Sequence, residues 1–264
     1  MDKWRLILDP DLPGALNMAV DEALLRAAEL ESGGGPVLRL YGWVEPAISI
    51  GYAQDPAPLA SKGIPVVRRI TGGRAVLHDN EITYSITAPC AHPLFSGGIT
   101  HAYSVISGCI IAALGDAGVR ASMSRARTRG DARGRTAACF HTPSRCEVLV
   151  GGRKLVGSSQ RRFKNAFLQH GSILYAIDQG LNERVFGPGL IERMACVSSC
   201  SSAGKEDLRR LLVKRFSEGL GVEFMEGGLT QDEAAGVARA LGSRGAPPEG
   251  ADTEASGELA GRLM

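Results

Sequence analysis

Long apolar runs are missing from this chain. No segment reaches the ~18 uninterrupted apolar residues that a membrane span needs. The opening MDKWRLILDPDLPG has an apolar stretch too short for a secretory signal, with acid directly after it. The expectation is a cytoplasmic protein. An excess of one charge is missing too. A net charge of +2 gives no general affinity for nucleic acid, so any electropositive surface must be local. No G-x-x-x-x-G-K occurs, which excludes a phosphate-binding loop of that type, and there are no internal repeats. Six cysteines, at 90, 109, 139, 146, 196 and 200, form no disulfide framework in a cytosolic chain of this size. Cys196 and Cys200 lack a second pair or nearby histidines, which argues against zinc.

What is present supports one folded unit. Hydrophobic residues make up 44% of the chain, enough for a sizeable core, and 264 residues fit one large domain. That domain is assigned to residues 1–242. Residues 243–264 are mostly Gly, Pro, Ala and acid, the composition of a disordered tail. Residues 122–138 carry Arg125, Arg127, Arg129, Arg133 and Arg135 against one acid, Asp131, and read as a mobile basic arm.

Residues 4–8 read as a strand. Pro13 then opens a helix with Asp11 as its cap, and Leu16, Ala19, Val20, Ala23, Leu24 and Ala27 form a buried face. Asp21 and Glu22 fall on its solvated side. Residues 37–41 and 47–51 read as a strand pair, 100–117 as a helix with Cys109 on its apolar face, and 147–150, 154–158 and 167–175 as strands. A helix near 205–218, a strand at 222–225 and a helix over 230–241 follow, the last with Thr230 and Glu233 as a capping box. Strand runs with flanking helices make the fold α+β, a mixed sheet with helices packed on it.

The most distinctive stretch is VVRRITGGRAVLHDNEITYSI, residues 66–86. A Gly-Gly pair alone makes a hairpin turn, but it also lets a ligand lie against the main chain, where exposed amides can bind an oxyanion. Lys154 is a lysine inside a strand-like run, which either points to solvent or holds a charge over a reacting carbonyl. Cys139 and Cys146 are the two cysteines that compete for a nucleophilic role. Cys139 adjoins the arginine-rich stretch, where cations would favour a thiolate.

RRITGGRAVLHD resembles the signature of the lipoate-protein ligase and octanoyltransferase superfamily, related to the biotin-protein ligases. NMAVDEALL resembles the N-terminal helix of that family, GGRKLVGSSQRR from Gly151 its lysine motif, and LQHGSILY from Leu168 a third segment. The resemblance runs from Asn17 to Tyr175 and is weak beyond. It implies a biotin/lipoate protein ligase catalytic-domain-like fold. Arg74 stands where ATP-using ligases carry a third glycine, which points to the acyltransferase branch. In that branch a Cys-Phe dipeptide precedes the motif lysine by about fifteen residues, the spacing of Cys139-Phe140 and Lys154. The resemblance therefore implies Cys139 as nucleophile and Lys154 as its acid-base partner. It implies a substrate groove from Arg69, Thr71, Gly72, Gly73, His78, Gly157, Ser158, His170 and Gly171.

The activity implied is transfer of octanoyl from octanoyl acyl carrier protein to a lysine of a lipoyl-domain protein such as the glycine-cleavage H protein. No cofactor, metal, nucleic acid or membrane is implied, and a monomer is expected. The rivals are an ATP-dependent lipoate ligase, an amidotransferase between lipoyl domains, and a binding module without chemistry. The last sits poorly with both Cys139 and Lys154 present.

Overall fold

In the computed structural model, residues 1–30, 35–124 and 147–243 are described. Residues 125–146, which contain Cys139, Cys146 and most of the expected basic arm, lie outside them, as does all but the start of the expected tail.

Strand β1 (Asp2–Leu12) runs well beyond the expected 4–8, and Asp11 is part of it rather than a helix cap. Helix α1 (Gly14–Glu29) is capped instead by Pro13, with no side-chain hydrogen bond at the cap. β2 (Val37–Trp43) and β3 (Ala47–Ile50) follow, then the short α2 (Ala57–Ala60), β4 (Val66–Arg68), β5 (Val76–His78) and β6 (Glu81–Pro89). After α3 (Gly98–Asp116) come β7 (Ser122–Met123), β8 (Val148–Val150), β9 (Arg153–Arg162) and β10 (Ala166–Leu174). The described chain closes with α4 (Gln179–Phe186), α5 (Lys205–Leu220), β11 (Val222–Glu226) and α6 (Gln231–Ser243). β7 falls inside the range expected to be an arm, because Ser122 and Met123 pair with Leu149 and Val148.

Two sheets form. The large one has the order β11-β1-β2-β6-β10-β9-β8-β7 and the small one β4-β3-β5. The expected pairing of residues 37–41 with 47–51 does not occur, because β2 and β3 enter different sheets. β4 and β5 do not form a hairpin either. They flank β3 on opposite sides, parallel and antiparallel, so the Gly72-Gly73 segment is a crossover loop.

One face of the large sheet is apolar, with Trp4, Leu38, Leu40, Ile82, Tyr84 and Ile86 packed against α3 and α5. α3 is long and apolar enough, by length and composition, to cross a membrane. Its ridge of Ala102, Ile106, Cys109, Ile110 and Ala113 is instead core, and its last residue, Asp116, is ion-paired to Arg215 of α5 at 2.6 Å. On the opposite face α1 packs with α6. The capping box forms there as expected. Thr230 N–H donates to Glu233 Oε2 at 2.7 Å and Glu233 N–H to Thr230 Oγ1 at 3.3 Å. Glu233 also receives Arg5, which ties α6 to β1.

Candidate active site

A cleft opens where the small sheet meets β9, β10 and α1. Arg69, His78, Gly157, Ser158, His170 and Gly171 of the expected groove line it, together with Tyr41, Ser49, Thr83, Ser159 and Ser172. Thr71, Gly72 and Gly73 of the expected groove are not among the lining residues, although Thr71 Oγ1 contacts Ser159 and His170, which are.

Strand alternation explains the polarity of the wall. β6 reads EITYSITAP, and its even positions Ile82, Tyr84 and Ile86 enter the apolar core. Glu81, Thr83, Ser85 and Thr87 point the other way and are at most 3% exposed. β10 repeats this with His170 and Ser172, and β2 with Arg39 and Tyr41. A polar sheet face usually meets water. Here α1 and the small sheet cover it, and most of its groups bond one another, although Thr87 Oγ1, Ser172 Oγ and Glu81 Oε2 find no hydrogen-bond partner among the described residues.

Asp21 holds that buried network together. Its Oδ1 accepts from Arg39 Nη1 at 2.9 Å and from Ser85 at 3.0 Å, and its Oδ2 accepts from Tyr41 at 2.9 Å. The same Oδ2 lies 2.8 Å from His170 Nδ1. The expectation that Asp21 is a solvated charge is wrong, since it is 1% exposed. Burial pushes its carboxyl upward, but the His170 hydrogen bond and the Arg39 charge hold it below the usual range. Burial pulls His170 below its ordinary value, with Asp21 opposing, so the ring is neutral near pH 7. Glu22 is partly buried and pairs with Arg26 along the helix at 2.8 Å.

Two carboxylate–histidine–hydroxyl chains converge on Arg69. In the first, Asp21 meets His170 Nδ1, and His170 Nε2 lies 2.7 Å from Thr71 Oγ1. In the second, Glu81 Oε1 lies 2.9 Å from His78 Nδ1, and His78 Nε2 lies 2.7 Å from Ser49 Oγ. Trp43 stacks on the His78 ring at 3.8 Å. Arg69 Nε donates to Thr71 Oγ1 at 3.2 Å, and Nη1 to Ser49 Oγ at 3.1 Å. Arg69 further donates to the carbonyls of Ser49, Gly72 and Arg74. Its guanidinium thus bonds these protein groups and fastens the loop while Arg69 lines the cleft.

Gly73 adopts φ +96°, and a Cβ there would stand 2.8 Å from Arg69 Nη2. Gly171 has a different constraint. A Cβ would lie 2.5 Å from Ser158 Oγ, 2.6 Å from Tyr84 Cε1 and 2.9 Å from the Gly157 carbonyl. Gly171→Ala must spread β9 from β10 and should lower stability by roughly 1–3 kcal/mol, the usual cost of overpacking. Urea unfolding measures it, and an unchanged midpoint would contradict this close approach.

Lys154 is 2% exposed, so it is not a solvent-facing strand lysine. Simple alternation from Val156 would put it on the apolar face. The β8–β9 register shifts, however, pairing Val148 with Val156 but Leu149 with Lys154. Leu155 and Val156 both enter the apolar core, so this bulge takes Lys154 off that face, and Lys154 is not among the residues that line the cleft. Its Nζ lies 2.5 Å from Glu147 Oε1, across a hairpin whose turn glycines, Gly151 and Gly152, take φ of +55° and +78°. Glu147 was not anticipated from the sequence.

Among the described cysteines, burial raises the Cys109 thiol to about 11 and also raises Cys90. None of Cys90, Cys109, Cys196 and Cys200 lines the cleft. No group of three or more His, Cys, Asp or Glu among the described residues is placed to hold a metal.

The family model for the lipoyl protein ligase A/B catalytic domain matches residues 13–215. The chain belongs to that family. Within the lipoyl protein ligase A/B family its similar relatives include octanoyltransferase LipM of Moorella thermoacetica, 37% identical over 88% of this chain and 92% of that one. The octanoyltransferase LipM of Kyrpidia tusciae is 38% identical over 88% and 93%. Among solved structures, a lipoate-protein ligase A bound with ATP superposes with a TM-score of 0.76 at 25% identity, covering 92% of this chain and 95% of that one. A putative lipoate protein ligase from T. acidophilum with bound lipoic acid gives 0.75 at 24% identity, covering 92% and 95%, and supports the fold alone. The chain is an acyltransferase of the octanoyltransferase group, which serves lipoate biosynthesis.

Proposed function

We propose that this acyltransferase moves octanoyl from octanoyl acyl carrier protein to a lysine of a lipoyl-domain protein, such as the glycine-cleavage H protein, through a thioester on Cys139. The observation that carries the reading is the buried Lys154, a cation held against Glu147 beside the register shift between β8 and β9. The Cys139 thiolate attacks the thioester carbonyl, forming the enzyme thioester and breaking the bond to the carrier sulfur. Lys154 as ammonium protonates that sulfur as it leaves. The neutral amine then takes a proton from the incoming lysine, whose nitrogen attacks the Cys139 thioester, forming the amide and breaking the C–S bond so that Cys139 leaves as the thiolate. Glu147 keeps the ammonium oriented through the first half of the cycle.

Exchange of one thioester for another is nearly isoenergetic, and amide formation is downhill, so the cycle needs no nucleotide. The protein acts in the cytoplasm, as a monomer. Transfer should proceed from octanoyl carrier protein in nucleotide-free, EDTA-treated buffer, while free octanoate with ATP and magnesium should give little product. Efficient ligation in the second mixture, with none in the first, would move the chain to the ATP-dependent branch.

A further inference from the structure

The first of the two relays has a direction, and that direction decides what the cleft offers a ligand. An ionised Asp21 can only accept, so the neutral His170 carries its proton on Nδ1. His170 Nε2 is then an acceptor and takes the Thr71 hydroxyl proton at 2.7 Å. Thr71 Oγ1, having donated, must accept from its two other neighbours. These are Arg69 Nε at 3.2 Å and Ser159 Oγ at 2.8 Å. The Ser159 proton is therefore committed to Thr71, and the Ser159 lone pairs are what this side chain presents to the cleft it lines.

We propose that Asp21 is a positioning residue that, through His170 and Thr71, makes Ser159 a dedicated acceptor for a substrate N–H. This rests on the acyl-transfer reading for the identity of the substrate. Two substrates of that reaction bring an N–H group: the amides of the pantetheine arm that delivers the thioester, and the amine of the accepting lysine. An acyl chain brings none, so Ser159 contributes to holding the arm or the lysine.

Asp21→Asn tests the relay because the surroundings dictate how the amide must sit. Arg39, a buried cation, faces Oδ1, so the carbonyl oxygen stays there and the NH2 group turns toward His170. His170 Nδ1 must then accept, its proton moves to Nε2, and every later bond in the chain reverses. Nitrogen-15 NMR of the imidazole reads this tautomer directly, without any substrate. The wild type should show Nδ1–H and Asp21→Asn should show Nε2–H.

In kinetics, Ser159→Ala should slow one half-reaction by about fivefold, the loss of one neutral hydrogen bond. A loss confined to loading from octanoyl-pantetheine, absent with an octanoyl thioester that has no amides, places the N–H in the arm. A loss confined to transfer places it on the lysine. Because Asp21 acts through Ser159, the Asp21→Asn/Ser159→Ala double variant should be no slower than Asp21→Asn. If Asp21→Asn fails to fold, Thr71→Val interrupts the same chain. It should keep the Nδ1–H tautomer and slow the same half-reaction as Ser159→Ala. An Nε2–H tautomer in the wild type, an unchanged tautomer in Asp21→Asn, or a Ser159→Ala enzyme unaltered in both half-reactions would overturn the proposal. Should wild type form no acyl-enzyme at all, the transfer reading fails, while the tautomer result still decides the direction of the relay.

Discussion

Lys154→Met should reduce octanoyl transfer by about 10²–10⁴, the contribution usual for a positioned acid-base group. Loss of activity alone would not separate chemistry from folding, because the substitution removes one buried cation that the Glu147 carboxylate, 5% exposed, pairs with. Removing one partner of a buried ion pair costs roughly 3–5 kcal/mol. The double variant Lys154→Met/Glu147→Gln removes both charges and should regain most of the unfolding midpoint in urea. It should remain as inactive as the single variant. A double variant that recovers both stability and transfer would show that Lys154 serves the fold only.

The largest effect on stability should come from Arg39→Ala. Arg39 is fully buried, with Nε donating to Asp9 at 2.6 Å, Nη1 to Asp21 at 2.9 Å and Nη2 to Asn17 Oδ1 at 3.0 Å. It also stacks over Tyr41, 3.9 Å from the ring centre. Its loss takes the cation from two buried carboxylates, Asp9 and Asp21, and should cost at least roughly 3–5 kcal/mol. Lysine should rescue little, because it has one point charge where the site uses a planar fork.

The deficit should also depend on pH. Asp21 titrates lower in the folded protein than its ordinary 3.8, so its pairing stabilises the fold above that value and is lost as pH falls through the depressed folded one. In Arg39→Ala the depression is weakened. The stability gap to wild type should therefore be full at neutral pH and narrow below about pH 4. Urea melts at pH 7 and in the acid range check this, and a gap that widens in acid would contradict it.

Much of the fold was legible because most elements carry their own period. The helix around Ala102 to Leu114 and the strands of β6 and β10 fall where apolar spacing puts them. The capping box of Thr230 and Glu233 was legible for the same reason, being a local pair. Relations between distant segments were not. β4 and β5 look like a hairpin around Gly72-Gly73, yet each pairs with β3, and nothing near the glycines signals that strand.

Asp21 was misread because a carboxylate on an amphipathic helix ordinarily faces water. The signal that contradicts this lies on other strands, in Arg39, Tyr41, Ser85 and His170, whose polar alternation is buried rather than exposed. Lys154 was singled out by its motif, but its direction depends on a one-residue register shift that no spacing within β9 reveals. Thr71, His78 and His170 were expected at the groove, while Ser49, Glu81 and Ser159, which complete their relays and the cleft wall, were not.

The central claim is an octanoyl thioester on Cys139, and intact-mass measurement tests it most directly. The protein is incubated with octanoyl acyl carrier protein in nucleotide-free buffer without an acceptor, its mass is read, and the adduct is mapped by peptide fragmentation. The account predicts one octanoyl group, located on Cys139, released by hydroxylamine, retained in Cys146→Ser and missing from Cys139→Ser. An adduct on Cys146 or on a lysine, or turnover by Cys139→Ser at the wild-type rate, would contradict it.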